Sequence, residues 1–285
     1  MQATASPPPA ASQPGYSPTL SLKELSKTIS ALGIKKANTR AWQLFILGVL
    51  AGLYIGLGGQ VSLVAVQQGL GKIVAGAVFS VGLVLVVVAG AELFTGNIIM
   101  VVGAMASLFT IGQVLRNWLA VYAGNFVGAF VLAALVWKSG LMGHANALNE
   151  LGTLAASVAQ AKLAQPFGEA VIRGILCNML VVLAIIMATI AKDVVSKVVC
   201  CVLPIMVFVA CGFEHCVANM YLIPLGLFAK GVPVLSQGIM FRNIIPVTIG
   251  NIIGGIIILV IHPNRIHQLV YLWKNRSLYR THATQ

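Results

Sequence analysis

The stretch Gly212 to Tyr221 reads GFEHCVANMY. It places a glutamate, Glu214, beside a histidine, His215, and follows them with Asn219, all in a very apolar part of the chain. An ionisable group at membrane depth is costly and marks a functional site by default. Histidine changes charge near neutrality, so it suits holding or passing a proton. An ionised carboxylate only accepts hydrogen bonds, whereas an asparagine both donates and accepts. The chemistry open to this trio is proton handling, or the satisfaction of backbone groups where a helix is interrupted.

A second stretch separates those two tasks. Gly90 to Asn97 reads GAELFTGN, and both stretches fit Gly-x-Glu-x-x-x-x-Asn: Gly90, Glu92 and Asn97 against Gly212, Glu214 and Asn219. Breaking a helix frees N–H and C=O groups that lipid cannot satisfy. Glu92 and Glu214 suit freed N–H groups, and Asn97 and Asn219 can bond either kind, so these four are expected to stabilise the breaks. His215 is different, because Leu93 stands at its place in the first stretch. The repeat does not require an imidazole there, and His215 is the one histidine expected deep in a span. Glu214 is expected to point away from any anion path and to bond loop amides.

The elements that must position these residues follow from composition. The chain has 285 residues, 59% hydrophobic and 8% charged, where soluble domains average about 25% charged. Six apolar blocks, roughly 41–68, 73–107, 110–137, 165–190, 197–228 and 242–262, are long enough to be transmembrane helices. The second and fifth are too long for one simple span, and each holds one of the two interruptions. The third and sixth blocks also match. Arg116-Asn117 leads to Gly124-Asn125-x-x-Gly128, and Arg242-Asn243 leads to Gly250-Asn251-x-x-Gly254, at identical spacing. LGVLAG at 47–52 weakly echoes RGILCN at 173–178. The expected fold is therefore all-α and polytopic, with six spans in two inverted three-helix repeats (41–137 and 154–262) and helices 2 and 5 broken. The glycine pairs are expected to permit close helix packing.

Outside the 41–262 pore domain, residues 1–20 are rich in Pro, Ala and Ser and read as a disordered cytoplasmic tail. Residues 21–40 read as an amphipathic surface helix that starts at a Ser21/Glu24 capping box and stops at Gly33. Residues 263–285 read as a basic cytoplasmic tail carrying His267, Lys274, Arg276 and Arg280. Twelve of the eighteen Lys and Arg residues fall in the N-terminal segment, the 2–3 and 4–5 loops and the C-terminal tail. The other side has Lys72, Lys138, Lys162, Lys230 and Arg242, and Arg173 lies within a span. The positive-inside rule places both termini in the cytoplasm and the chain in the cell (inner or plasma) membrane.

The net charge of +12 forms no basic face interleaved with aromatics, which argues against nucleic acid. Cys177, Cys200, Cys201, Cys211 and Cys216 have neither C-x-x-C nor zinc spacing, so no metal and no cofactor are expected. A haem subunit would need further axial ligands at membrane depth. Nothing points to an enzyme or to a catalytic residue.

The motifs AELFTGN, RGILCNMLVVLA, FEHCVANMYLIPLG and IPVTIGNIIGG resemble the signatures of the formate/nitrite transporter family, over roughly residues 20–262. The resemblance implies an aquaporin-like fold, a homopentamer with a pore in each protomer, and a small monovalent anion as cargo: formate first, with nitrite or hydrosulfide as alternatives. True aquaporins carry Asn-Pro-Ala pairs, which this sequence lacks, so a neutral-solute facilitator is disfavoured. Carried over residue by residue, Thr95 matches a threonine bonded to the central histidine, here His215. Asn178 matches an asparagine beside that histidine. Lys162 matches a lysine in the outer vestibule, with Asn251 near it. Phe79, Leu83, Leu93 and Phe208 match apolar constrictions above and below the histidine.

Those residues imply a mechanism. A bare anion loses several kcal/mol of solvation in an apolar constriction, by an order-of-magnitude estimate. Lys162 would draw the anion in. The constriction offers no counter-charge, so the weak acid is expected to cross with a proton, at or through His215, which Thr95 and Asn178 orient. Protons are therefore expected partners, beside the anion and the bilayer.

Overall fold

The helices are set by apolar runs punctuated by caps, glycines and prolines. The computed structural model describes residues 17, 19–144, 147–233, 238–261 and 274, with Leu22 and Lys23 described in backbone only. The expected tail before residue 17 lies outside them, as does the basic tail with His267, Arg276 and Arg280; Lys274 is exposed.

Helix α1 (Leu22–Asn38) opens on the Ser21/Glu24 capping box, with both reciprocal bonds present. It runs through Gly33, the expected stop, because the ring of Phe109 packs where a side chain would stand. Its buried Leu25 and Ile29 pack with Ile98, Val102, Leu108 and Val182. Thr19, just before it, bridges to Ala191, and Leu20 N–H donates to Ile190 O at 3.0 Å. Then come α2 (Ala41–Gln67), α3 (Gly71–Phe79), α4 (Val81–Ala89), α5 (Phe94–Asn97), α6 (Met100–Met105) and α7 (Ile111–Lys138). A two-stranded hairpin of β1 (Gly143–His144) and β2 (Ala147–Leu148) interrupts the expected all-helical chain. The second half has α8 (Glu150–Leu163), α9 (Phe167–Ile190), α10 (Val194–Ala210), α11 (Cys216–Ala229) and α12 (Phe241–Ile261).

Among the described residues, five helical stretches are long and apolar enough to cross a membrane: Ala41–Gln67, Gly71–Ala89, Ile111–Lys138, Phe167–Ile190 and Phe241–Ile261. Val194–Ala210 and Cys216–Ala229 are apolar but each shorter. The chain is a polytopic helical membrane protein.

Helix α2 packs along α7, and α9 along α12. The contacts are between backbones, because glycine removes the side chain from both partners. A Cβ on Gly124 or Gly128 would strike the carbonyl oxygens of Phe45 or Val49. One on Gly250 or Gly254 would strike those of Val171 or Ile175. These two tight pairs flank the broken helices.

Candidate functional site

The two breaks have the same construction. Helix α4 ends on Gly90 at φ 82°, and α5 resumes at Phe94. Helix α10 ends just before Gly212 at φ 72°, and α11 resumes at Cys216. Both glycines occupy the left-handed region that other L-residues avoid.

Freed backbone groups are taken up by a pair of fully buried asparagines on α7 and α12. Phe94 N–H donates to Asn125 Oδ1 at 2.9 Å, and Cys216 N–H to Asn251 Oδ1 at 2.9 Å. Asn125 Nδ2 donates to Gly48 O (2.8 Å) and Glu92 O (2.9 Å). Asn251 Nδ2 donates to Gly174 O (2.8 Å) and Glu214 O (2.9 Å). This corrects two expectations. The Phe94 and Cys216 amides bond asparagines, and those of Glu92 and Glu214 bond the carbonyls of Leu47 and Arg173, rather than the glutamate carboxylates. Asn251, expected beside Lys162 on the path, has its side chain committed to backbone instead.

The glutamates pair with lysines. Lys162 Nζ donates to both oxygens of Glu214, at 2.9 and 2.8 Å, and Gln165 Nε2 adds a bond at 3.0 Å. Asn219 Nδ2 donates to Glu214 (2.6 Å) and to Asn243 Oδ1 (2.6 Å). In the other half Lys36 Nζ donates to Glu92 at 2.7 and 2.6 Å, and Asn97 Nδ2 donates to Glu92 (2.7 Å) and Asn117 Oδ1 (2.8 Å). Glu214, expected to point away from any anion path and to bond loop amides, lines the same cavity as His215 and pairs with an ammonium instead. The charge of Lys162 is compensated by Glu214, so it is not the free attractor the sequence suggested. Lys36 belongs to the N-terminal segment whose basic residues the positive-inside rule already accounts for. One signal could have found it: Lys36 and Asn117 stand 81 residues apart, as do Lys162 and Asn243, and in both pairs the asparagine donates to the lysine carbonyl.

His215 caps the start of α11. Its Nδ1 accepts the Ala218 N–H at 3.2 Å, and its Nε2 lies 2.9 Å from Thr95 Oγ1. An Nδ1 that accepts carries no proton, so the neutral ring holds its proton on Nε2 and donates to Thr95. Both side chains are buried. Asn178 does not touch the ring. Its Nδ2 donates to Thr95 O (3.3 Å) and Asn251 O (2.7 Å), so it holds the segment that carries Thr95. Phe208 stacks on the imidazole with centroids 5.9 Å apart, and Phe79 meets Phe208 edge-on at 5.6 Å. Leu83 and Leu93 are also buried.

Two cavities approach this cluster. One, of about 370 Å³, is lined by Phe79, Phe208, His215, Lys162, Glu214 and Asn219. The other, of about 430 Å³, is lined by Leu93, Gly96, Lys36, Glu92 and Asn97. His215 on the first is bonded to Thr95; Gly96, next to Thr95, and Leu93, two residues before it, line the second. Each cavity also borders further cations: Lys72 and Arg173 on the first, Lys35 and Lys197 on the second. Arg173 lies within the membrane-length helix Phe167–Ile190, as expected, 43% exposed and 3.2 Å from Glu169. Among the described residues no three metal-ligating side chains cluster.

A bundle of membrane-length helices, broken around a buried histidine between two polar-lined cavities, defines a membrane transport protein. The formate/nitrite transporter family model matches residues 23–263, and the chain belongs to that family. It is similar to the formate channel FocA of Haemophilus influenzae, 38% identical over 78% of this chain and 86% of that protein. FocA of Escherichia coli is 35% identical over 81% of this chain and 88% of that protein. Among solved structures, an ion channel of the family aligns at TM-score 0.75 with 27% identity, covering 88% of this chain and 98% of that one. A pentameric formate channel with formate bound aligns at 0.64 with 32% identity, covering 84% and 99%. The chain is a transport protein and not an enzyme.

Proposed function

We propose that this protein carries small monovalent weak-acid anions, formate first, across the cell membrane, and that His215 controls the proton that accompanies them. The observation that carries this reading is the 2.9 Å contact between His215 Nε2 and Thr95 Oγ1, the link between the two cavities. An anion reaching Phe79 and Phe208 meets apolar rings that cannot replace its hydration, so crossing as the neutral acid is the lower path. His215 supplies a titratable group against those rings, the Ala218 N–H on Nδ1 fixes its tautomer, and Thr95 accepts from Nε2. Leu83 and Leu93 close the other side.

In this reading the spans number six, with α3 to α6 and α10 to α11 forming the two broken ones. The halves are inverted, each led by a surface helix (α1 or α8) that carries a lysine. The second half then begins at Glu150 rather than at 154. Asn125 and Asn251 hold the breaks, Glu92 with Asn97 and Glu214 with Asn219 tie them to Lys36 and Lys162, both termini are cytoplasmic, and five chains assemble, as in the pentameric relative.

The test is reconstitution into liposomes, with uptake of formate, nitrite, hydrosulfide and acetate compared across a pH gradient. Formate uptake is expected to exceed the others, to rise with an inward proton gradient, and to lose that dependence in His215→Phe. Unchanged pH dependence in His215→Phe would remove the histidine from the mechanism. Water flux without weak-acid uptake would favour a neutral-solute facilitator, and nitrite or hydrosulfide ahead of formate would reassign the cargo.

A further inference from the structure

Besides the Gln165 bond to Glu214, the two lysine–glutamate–asparagine clusters differ at one asparagine oxygen. In the first half, Lys36 Nζ donates three times: to both oxygens of Glu92 and, at 2.9 Å, to Asn97 Oδ1. In the second half, Lys162 Nζ donates to the two oxygens of Glu214 only. Asn219 Oδ1 is therefore left without a partner among the described residues, although Asn219 is fully buried. The orientation of its amide is fixed. Nδ2 faces the Glu214 carboxylate at 2.6 Å, and an ionised carboxylate can only accept. Turning the amide over would set oxygen against oxygen.

A buried acceptor left unmade costs free energy unless something bonds it. Asn178 Oδ1 is also unpartnered and buried, but Asn178 borders neither cavity described above. Asn219 does border a cavity, the same one that His215, Phe79, Phe208 and Lys162 line. So this cavity, unlike its counterpart around Lys36, offers both a spare ammonium N–H on Lys162 and a spare amide oxygen on Asn219. A bare anion uses only the donor. A protonated carboxylic acid uses both, its carbonyl accepting and its O–H donating.

We propose that Asn219 Oδ1 is a specificity-determining acceptor for the protonated form of the substrate, taking the O–H of a small carboxylic acid while Lys162 donates to its carbonyl. This rests on the weak-acid reading above and deepens it. The first cavity selects the neutral acid before His215 is reached. The second cavity, whose equivalent acceptor is already bonded to Lys36, does not.

The test compares near-isosteric pairs in liposomes. Asn219→Thr keeps a hydroxyl that can accept, Asn219→Val keeps none, and both lose the same amide donors. At pH 5.5, formate uptake is expected to be about tenfold lower in N219V than in N219T, the size of one lost hydrogen bond near 1.4 kcal/mol. The loss should fall in apparent affinity. The N97T and N97V pair should differ by less than about twofold on the same hydrogen-bond scale. Equal uptake by N219T and N219V would overturn the proposal while leaving the His215 reading intact. Absent formate uptake by the unmutated protein would instead sink both. A second measurement reads the unmutated transporter directly. With ¹³C-labelled asparagine, the Asn219 carbonyl stretch, assigned by its loss in N219T, should shift down on adding formate at pH 5.5 and not on adding chloride. No shift, or the same shift with chloride, would leave Asn219 with water alone and defeat the proposal.

Discussion

Lys36 and Glu92 form a partly buried ion pair in which one ammonium reaches both carboxylate oxygens, at 2.6 and 2.7 Å. Its side chains are 19% and 14% exposed, whereas those of Lys162 and Glu214 are 15% and 5% exposed. Removing one member of a buried pair leaves the other charge uncompensated. Glu214→Gln is expected to destabilise by about 3–5 kcal/mol. Glu92→Gln, discounted for its greater solvent contact, is expected to lose about 1–3 kcal/mol. Thermal unfolding of the detergent-solubilised protein measures both. Adding Lys162→Met to Glu214→Gln should recover at least half of the loss.

Asn125 and Asn251 each serve one backbone N–H and two carbonyls at a break. Asn125→Asp or Asn251→Asp would place a second oxygen against those carbonyls and leave them unsatisfied. Each lost buried partner is worth about 1–3 kcal/mol. Hydrogen exchange should accelerate at the Phe94 amide in the first variant and at the Cys216 amide in the second, each leaving the other break protected.

The glycine seams permit almost no added volume. Gly128→Ala and Gly254→Ala would push a methyl group into the carbonyls of Val49 and Ile175. Both variants are expected to lower the yield of assembled protein on gel filtration severalfold. Gly112→Ala, on the same helix as Gly128, meets nothing closer than 3.7 Å. It should be neutral or gain up to about 1 kcal/mol from helix propensity.

Asp193 caps α10, its Oδ1 accepting the Ser196 N–H at 2.8 Å. That backbone bond, with the Ser196 side chain, holds its carboxyl below the usual carboxylate range. A pKa depressed by folding means the cap contributes fully above the unfolded value and is lost as pH falls through the lower, folded one. Exchange at the Ser196 amide should therefore quicken on acidification below the ordinary carboxylate range. Asp193→Asn should flatten that response.

Much of this arrangement was readable from residue order. The matching Gly-x-Glu-x-x-x-x-Asn stretches located both breaks, and Leu93 opposite His215 singled out the imidazole. The partners of the glutamates were not readable in the same way. Lys36 stands in a flank where positive-inside reasoning already explains a lysine, so nothing required it to fold back onto Glu92. Gly33 resembled a helix stop because its partner, the ring of Phe109, is distant in sequence. Asn251 was drawn toward Lys162 by the resemblance, while its actual bonds to Gly174, Glu214 and Cys216 depend on how α9 and α12 meet.

The seams at Gly48/Gly124 and Gly174/Gly250 place backbone directly on backbone, without side chains to absorb a change in spacing. A frame so joined resists breathing. In the proposed reading, widening the pore would be left to the rings of Phe79 and Phe208 and the branched tips of Leu83 and Leu93. Such torsional swings are local and fast compared with domain rearrangements. On that reading the ceiling on cargo size would be set by how far two phenyl groups can turn, and throughput by how often they turn together.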